Sequence, residues 1–305
     1  MSLQKRLLGS NRMKDQAEDL RLKLSMNGNE QQVNKKPPRT LAVVSGKGGV
    51  GKSNFSLSFS ISLLQQGNKV LLFDMDMGMG NLDILMGRSS EYSIVDFFDG
   101  KVSLKDTIMT GPNGLMYIAG GSGLNHLVGL DDQLVEKFTH EISSLFEEYD
   151  YVLFDMGAGV TEGTLKFILS VQEIIVITTP EPTSMTDAYG MMKHIHIMDD
   201  SIPFYILVNR IQSEKEGQQT YSRISNVMKN FLGRDSFLLG AVPDDRTIQQ
   251  AVRRQTPFIL FNEKSPASKA IKEIRERYEQ RHFNEKPADT SFRFISKLKQ
   301  FLFER

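Results

Sequence analysis

The residues best suited to chemistry in this sequence form one short run of glycines and lysines. It reads Gly46-Lys47-Gly48-Gly49-Val50-Gly51-Lys52-Ser53. An apolar, β-branched run (40–45) precedes it, and a stretch that fits a helix (54–64) follows it. A strand, a glycine loop and a helix in this order predict a phosphate-binding loop, in which backbone N–H groups and the helix N-terminus attract phosphate oxygens. Lys52 can then reach the β/γ-phosphates of a nucleotide, and the Ser53 hydroxyl can bind Mg²⁺.

The loop contains a second lysine, Lys47, directly before Gly48 and Gly49. This form, KGGxGK[ST], resembles the deviant Walker A loop of the MinD/ParA class of ATPases. The resemblance implies an ATP- and Mg²⁺-dependent enzyme that forms a homodimer around its nucleotide, with Lys47 crossing to the partner's nucleotide. A lysine there would stabilise the charge that develops on a leaving phosphate. The alternative is an ordinary surface lysine.

Two further motifs end predicted strands with a carboxylate. The segment 74–83 resembles the MinD pattern DxDxGxxNLD, which gives Asp76 the role of orienting or activating the attacking water, whereas Asp74 has a more structural position. The segment 155–159 occupies the Walker B place, where Asp155 and Ser53 would hold Mg²⁺. Gly157 stands where MinD has proline, and this form suits the flagellar branch of the class better. A turn aspartate is the alternative for Asp76.

The ends of two other predicted strands carry residues that could bind the base of the nucleotide. Asn209 and Arg210 end one predicted strand, and Pro243 and Asp244 end the next. In relatives these positions frame the adenine, and the resemblance implies that Asn209 hydrogen-bonds its edge, for which an amide has both a donor and an acceptor. Ordinary loop chemistry is the alternative for both pairs.

Composition excludes several classes of function. Lysine plus arginine equals aspartate plus glutamate, at 37 each, so the net charge is zero and general nucleic-acid binding is disfavoured. The absence of cysteine excludes disulfides, thiolate metal sites and iron–sulfur clusters. No apolar run reaches transmembrane length and no signal peptide is visible, so a cytoplasmic protein with at most peripheral membrane association is expected.

The first 36 residues differ from the rest, with eight basic and four acidic residues. Apolar residues recur there at helical spacing, and a flexible linker follows. The string from Asp15 to Arg21 fits DQAxxLR, which resembles the N-terminal activator motif of the flagellar-regulator (FlhG) branch of the MinD class. The resemblance implies that this arm binds the SRP-type GTPase FlhF through Asp15, Gln16, Ala17, Leu20 and Arg21. A solvated charged helix is the alternative.

The last residues, 291–305, fit one amphipathic helix. Its apolar face comprises Phe294, Ile295, Leu298, Phe301 and Leu302. Basic residues opposite an aromatic and aliphatic face are typical of a helix that lies on an anionic membrane surface. The alternative is a helix that packs on its own domain.

Alternation of strands and helices predicts an α/β fold with a doubly wound, mostly parallel sheet and helices on both faces, which the resemblance places in the SIMIBI class of P-loop NTPases. Strands are expected at 40–45, 69–74, 115–118, 149–154, 173–179, 203–209, 236–242 and 257–261, and helices at 131–147, 184–199, 213–232 and 264–281. The expected organisation is an arm (1–38), an ATPase domain (39–284) and a linker with the terminal helix (285–305).

The resemblance implies a slow, switch-like ATPase that regulates flagellar number and placement, with ATP or ADP and Mg²⁺ as cofactors. Its implied partners are a second copy, FlhF, flagellar C-ring proteins and an anionic membrane surface. A MinD-type division-site regulator, a ParA-type DNA-segregation ATPase and a nucleotide-gated adaptor without hydrolysis remain alternatives.

Overall fold

A single sheet organises the described part of the chain. The computed structural model describes residues 37–76, 82–121, 132–159, 162–282 and 290–303. Within them, eight strands pair in the order β3-β4-β2-β5-β1-β6-β7-β8, with β3 antiparallel to β4 and all other pairs parallel. The strands are β1 (Arg39–Ser45), β2 (Val70–Met75), β3 (Ile108–Thr110), β4 (Met116–Ile118), β5 (Tyr151–Ala158), β6 (Glu173–Thr178), β7 (Phe204–Ile211) and β8 (Phe237–Pro243). The predicted doubly wound fold is confirmed.

The helices cover both faces of this sheet. They are α1 (Lys52–Leu64), α2 (Leu82–Met86), α3 (Ile94–Phe98), α4 (Asp132–Phe146), α5 (Glu162–Ser170), α6 (Pro182–Met198), α7 (Glu214–Leu232), α8 (Arg246–Arg253), α9 (Phe258–Phe261), α10 (Pro266–His282) and α11 (Thr290–Phe303). One core contains residues of α3 to α7 and α11, and the other contains residues of α1, α2 and α8 to α10.

Strand alternation explains why there are two cores. Along β1, Ala42 and Val44 enter one core, while Leu41 and Val43 enter the other. Successive side chains of a strand point to opposite faces, so a central strand covered by helices on both sides must be apolar throughout. The continuous apolar run that identified β1 in the sequence follows from this constraint.

One local prediction was wrong, and one short strand was missed. Residues 257–261 were expected to form a strand, but Phe258–Phe261 is one helical turn that starts after Pro257, with Phe258 and Ile259 buried. A short apolar run has no periodicity that separates a strand from a buried helix. The edge strand β3 was not predicted, because three residues of partial burial leave too short a pattern.

The terminal helix α11 is part of the domain core. We expected its apolar face to be free to lie on a membrane, but the face is buried. Phe294 and Leu298 are fully buried, and Ile295 and Phe301 pack against the same core. The Phe294 ring stacks on Phe154 of β5 at 5.4 Å between centroids. The structure therefore agrees with the alternative interpretation, in which this helix packs on its own domain. The side chain of Leu302 and the arm residues Asp15, Gln16, Ala17, Leu20 and Arg21 lie outside the described residues.

One ion pair also attaches α11 to the domain. Lys297 donates a hydrogen bond of 2.6 Å from Nζ to Oδ2 of Asp199, the residue that follows α6 and caps its C-terminus. Burial opposes ionisation of Asp199, but this bond and those from Ser201 outweigh it and lower the pKa of the carboxyl. No helix in the described ranges has the length and hydropathy needed to cross a membrane.

The packing of α11 gives a first prediction. Phe294→Ala should lower the free energy of unfolding by about 3 kcal/mol, because it removes a buried ring and leaves a cavity. Phe231→Ala is the matched control, since Phe231 is 75% exposed and its loss should change stability by less than about 0.5 kcal/mol. Urea unfolding measures both. Equal effects of the two substitutions would show that α11 is not docked in solution.

Candidate active site

The glycine loop between β1 and α1 forms one wall of a cleft at the carboxyl edge of the sheet. Gly49 and Gly51 adopt positive φ values of 75° and 96°, which glycine reaches without steric cost. The cleft has a volume of about 380 Å³. It is lined by Ser45, Gly48, Gly49, Gly51, Lys52, Ser53, Asn54, Asp76, Ile84, Leu85, Ala158, Arg210 and Val252. The predicted phosphate loop, Lys52, Ser53 and Asp76 therefore lie together.

Gly46 and Val50 support the loop from behind. A Cβ on Gly46 would lie 2.2 Å from the backbone of Asp187 in α6, so only glycine permits this contact. Val50 is buried in the core that also holds α1. These contacts fix the loop on the domain.

A buried charge pair lies at the base of the cleft. Lys52 Nζ is 3.8 Å from Oδ1 of Asp155, and both side chains are buried. Ser56, one turn further along α1, donates a 2.8 Å hydrogen bond to the same oxygen. Burial raises the pKa of the Asp155 carboxyl, and the charge of Lys52 and the hydroxyls of Ser53 and Ser56 oppose that shift.

A second buried carboxylate stands beside the first. Asp74 on β2 is paired in register with Asp155 on β5. Burial, and next the charge of Asp155, raise the pKa of Asp74 to about 7. Two backbone N–H groups oppose this shift, those of Asp76 at 3.0 Å and Leu82 at 3.3 Å. Asp74 thus holds Asp76 and the start of α2 in place, which agrees with the structural position expected from the sequence.

Asp155 and Ser53 have the oxygen ligands that a magnesium ion requires. Oδ2 of Asp155 is buried and has no hydrogen-bond partner within the described residues, although an unpaired buried carboxylate oxygen is costly. The Ser53 hydroxyl interacts with the same carboxyl. Mg²⁺ characteristically takes few protein ligands and completes its shell with water and phosphate oxygens, so one carboxylate and one hydroxyl suffice.

Lys47 has a partner within its own chain. Its Nζ lies 2.9 Å from Oε2 of Glu181 and 3.1 Å from Oγ1 of Thr183, at the start of α6. It is not among the side chains that line the cleft in the described part of the chain. The hydrogen bond and charge of Lys47 lower the pKa of Glu181. The sequence did not predict this pair, since no local pattern relates residues so far apart in the chain.

The residues that were expected to bind the base do not all lie in one cavity. Asn209, Arg210 and Asp244 line a cavity of about 260 Å³ next to the phosphate loop, whereas Pro243 lines a groove along the outer side of β8. Asn209 donates a 2.7 Å hydrogen bond from Nδ2 to the carbonyl of Val50 and is only 7% exposed. Its Oδ1 accepts from the N–H of Arg210 at 3.0 Å. The Asn209 amide therefore binds the loop while it lines this cavity, and its contact with adenine stays a prediction; Pro243 is not in this cavity.

The serine that completes the buried cluster was missed by sequence reasoning. Ser56 follows Lys52 by one helical turn, and this spacing puts both side chains on one face of α1, towards Asp155. That spacing was available in the sequence, but serine occurs at every second position from Ser56 to Ser62 and conceals it.

Comparison with known proteins identifies the family. The sequence profile of the ParA family, described as "NUBPL iron-transfer P-loop NTPase", matches residues 36–278. The chain belongs to the MinD/ParA family of P-loop NTPases. Membership in this family implies hydrolysis of ATP. The iron transfer in that description is a property of its namesake, and this chain has no cysteine.

Two curated relatives of the family are flagellar proteins. The antiactivator FleN of Pseudomonas aeruginosa is 30% identical over 238 residues, which cover 78% of this chain and 85% of FleN. The flagellum site-determining protein YlxH of Helicobacter pylori is 33% identical over 228 residues, which cover 73% of this chain and 75% of YlxH. The predicted resemblance to the flagellar branch is confirmed.

A solved structure of the family has the same fold. MinD in the MinC:MinD cell division complex of Aquifex aeolicus superimposes with a TM-score of 0.66 at 25% identity, covering 82% of this chain and 98% of that one. This chain thus shares its doubly wound sheet with a division protein, and it is similar in sequence to the flagellar relatives.

Proposed function

We propose that this protein is an ATP-dependent dimerising switch that regulates the number and placement of flagella. The buried cluster of Lys52, Asp155 and Ser56 below the phosphate loop supports the nucleotide-binding part of the proposal. The FleN and YlxH relatives, together with the DQAxxLR string of the arm, support the flagellar part. The arm string is the observation that carries the choice of function, because it lies outside the shared ATPase domain.

In the proposed reaction, each polar residue of the cleft has a separate task. Lys52 balances the β/γ-phosphate charge, and Ser53 and Asp155 would hold Mg²⁺, which would supply positive charge to the phosphate groups. Asp76 orients the attacking water, since it lines the cleft and its backbone N–H is fixed by Asp74. Phosphoryl transfer depends mainly on such positioning and on charge stabilisation.

Dimerisation requires Lys47 to change partners. In this chain it pairs with Glu181, at 2.9 Å, and both side chains are substantially exposed. An exposed ion pair contributes little to stability, so its loss is a small barrier. In the proposed ATP dimer, Lys47 moves to the nucleotide of the second copy, where phosphate charge is a stronger partner.

Membrane association belongs to the proposal only as a nucleotide-dependent step. The apolar face of α11 is buried in this form, so it must leave the core before it meets an anionic membrane surface. Phe294 stacks on Phe154, the neighbour of Asp155, which gives a direct packing route from the nucleotide site to α11. A second copy would present two weak anchors together and raise the affinity for a membrane.

The arm is proposed to act on the SRP-type GTPase FlhF, and other surfaces are proposed to engage flagellar C-ring proteins. A short helix that cannot be stable alone is suited to folding onto a partner. Gln16 would position water or a catalytic group there, by analogy with glutamines in other GTPases.

A MinD-type division-site regulator is the second candidate, because the fold matches that of the Aquifex MinD. A ParA-type DNA-segregation role is disfavoured by the net charge of zero. The arm separates the first two candidates.

The role of Asp76 is tested by substitution. Asp76→Ala should still bind ATP but lower its turnover by about 10²-fold, because water positioning is lost while phosphate contacts remain. The variant should accumulate as a dimer with ATP, as measured by light scattering. Lys52→Ala is the control and should bind no ATP. An Asp76→Ala protein that is monomeric with ATP bound would contradict the assignment.

Nucleotide-dependent membrane binding is tested with the same variants. Asp76→Ala should sediment with vesicles of anionic lipid in the presence of ATP and stay in the supernatant with ADP, because only the dimer releases α11. Lys52→Ala should stay in the supernatant in both cases. Equal sedimentation with ATP and ADP would refute coupling between the site and α11, and no sedimentation with either would refute membrane binding.

The flagellar assignment is tested with the arm alone. A peptide of residues 1–36 should raise the GTP turnover of FlhF, and Gln16→Ala should reduce this stimulation by about tenfold while binding persists. Leu20→Ala should weaken binding, since Leu20 is one of the apolar residues that recur at helical spacing in the sequence of the arm. A peptide with scrambled residues 15–21 is the control. If the native peptide leaves turnover at its basal rate when saturating, the MinD-type alternative is favoured.

A further inference from the structure

Asn209 and Arg210, two consecutive residues at the end of β7, bind two consecutive peptide groups of the phosphate loop. Asn209 Nδ2 donates to the carbonyl of Val50 at 2.7 Å. Arg210 Nη2 donates to the carbonyl of Gly49, also at 2.7 Å. Both distances are at the short end of the range for N–H···O hydrogen bonds, and the Arg210 bond is charge-assisted.

These two bonds determine the direction of loop N–H groups. A trans peptide is planar, and its carbonyl and N–H point in opposite directions. Fixing the carbonyl of Gly49 therefore fixes the N–H of Val50, and fixing the carbonyl of Val50 fixes the N–H of Gly51. Phosphate loops bind their ligand through such backbone N–H groups.

The backbone conformation at Arg210 allows the side chains of Asn209 and Arg210 to reach the same loop. Successive side chains of a regular strand point to opposite faces, so Asn209 and Arg210 could not both reach one loop from an unbroken β7. Arg210 has a left-handed φ of 60°, and the pairing with β8 skips it, from Asn209 with Val242 to Ile211 with Pro243. A bulged residue of this kind redirects a side chain, but outside glycine the left-handed conformation is unfavourable.

Gly51 provides independent support. A Cβ on Gly51 would lie 2.4 Å from Nδ2 of Asn209, so the asparagine occupies the space that any other residue at position 51 would fill. The close approach of side chain and loop is therefore a specific fit between the two segments.

We infer that Asn209 and Arg210 form a clamp that holds the loop N–H groups in their phosphate-binding orientation, and that the strained bulge at Arg210 exists for this purpose. In this role both are positioning residues for the loop. This inference rests on the nucleotide-binding function proposed above. In the clamp, the guanidinium of Arg210 acts on the loop before any nucleotide arrives.

Arg210→Gly separates the backbone strain from the side chain. Glycine relieves the left-handed conformation, so the thermal midpoint of the nucleotide-free protein should rise or stay unchanged. Loss of the guanidinium should speed hydrogen exchange in the peptide that covers residues 46–53 and lower the affinity for ADP with Mg²⁺ by tenfold or more. Arg210→Lys keeps one cationic donor and should recover part of both losses.

Asn113→Gly is the matched control, because Asn113 also has a left-handed φ, of 58°, in a turn of the β3–β4 connection. It should change neither loop exchange nor ADP affinity. Weaker ADP binding of Arg210→Gly with unchanged loop exchange would overturn the clamp and favour direct contact with the nucleotide. Unchanged exchange and affinity would overturn it outright. Failure of the unmodified protein to bind ADP would instead refute the proposed function, and the clamp with it.

Discussion

The site depends on two carboxyl groups that are buried side by side at the carboxyl edge of the sheet. Asp74 and Asp155 lie in register on neighbouring strands, and Lys52 is paired with Asp155. Two carboxylates and one ammonium are not balanced in a low-dielectric interior, so one carboxyl must take up a proton or the site must gain positive charge. The raised pKa of Asp74, about 7, is the first of these responses. A cation bound at Asp155 would be the second, and it would favour the ionised form of both carboxyls.

The rest of the fold positions this cluster from both faces of the sheet. On one face, α1 brings Lys52 and Ser56 to Asp155, and its serines are small enough to pack closely under the strands. On the other face, the ring of Phe294 in α11 stacks on Phe154, next to Asp155 in the chain. A shift of β5 is therefore felt in the packing of α11, because close-packed interiors transmit displacement.

The periphery of the site is held by contacts that a ligand or partner can replace. Lys47 pairs with Glu181 across exposed surface. Such an exposed ion pair is weak compared with the buried core, since water competes for both partners. The buried part of the site is thus held firmly, whereas Lys47 at its rim can exchange its partner.

The sequence by itself determined the chemistry of the site and the class of fold. Lys52, Ser53, Asp76 and Asp155 were identified because the glycine loop and the strand-ending carboxylates have local signatures, and β1 because it must be apolar on both faces. Even the helix α1 followed from this context, although its alternation of serine and apolar residues has the period of a strand. Local chemistry constrains such segments independently of what packs on them.

Only the tertiary structure decided where the remaining groups are used. The apolar face of α11 has the same sequence pattern whether it covers a membrane or the core. In the structure Phe294 stacks on Phe154, so this face covers the core. The amide of Asn209 has groups that suit adenine and groups that suit a carbonyl, and in the fold its Nδ2 donates to the carbonyl of Val50. Phe258–Phe261 forms one helical turn with Phe258 and Ile259 buried, a choice that its short apolar run could not reveal. For α11 and Asn209, the residue types set what each can bind, and contacts between distant segments selected the partner.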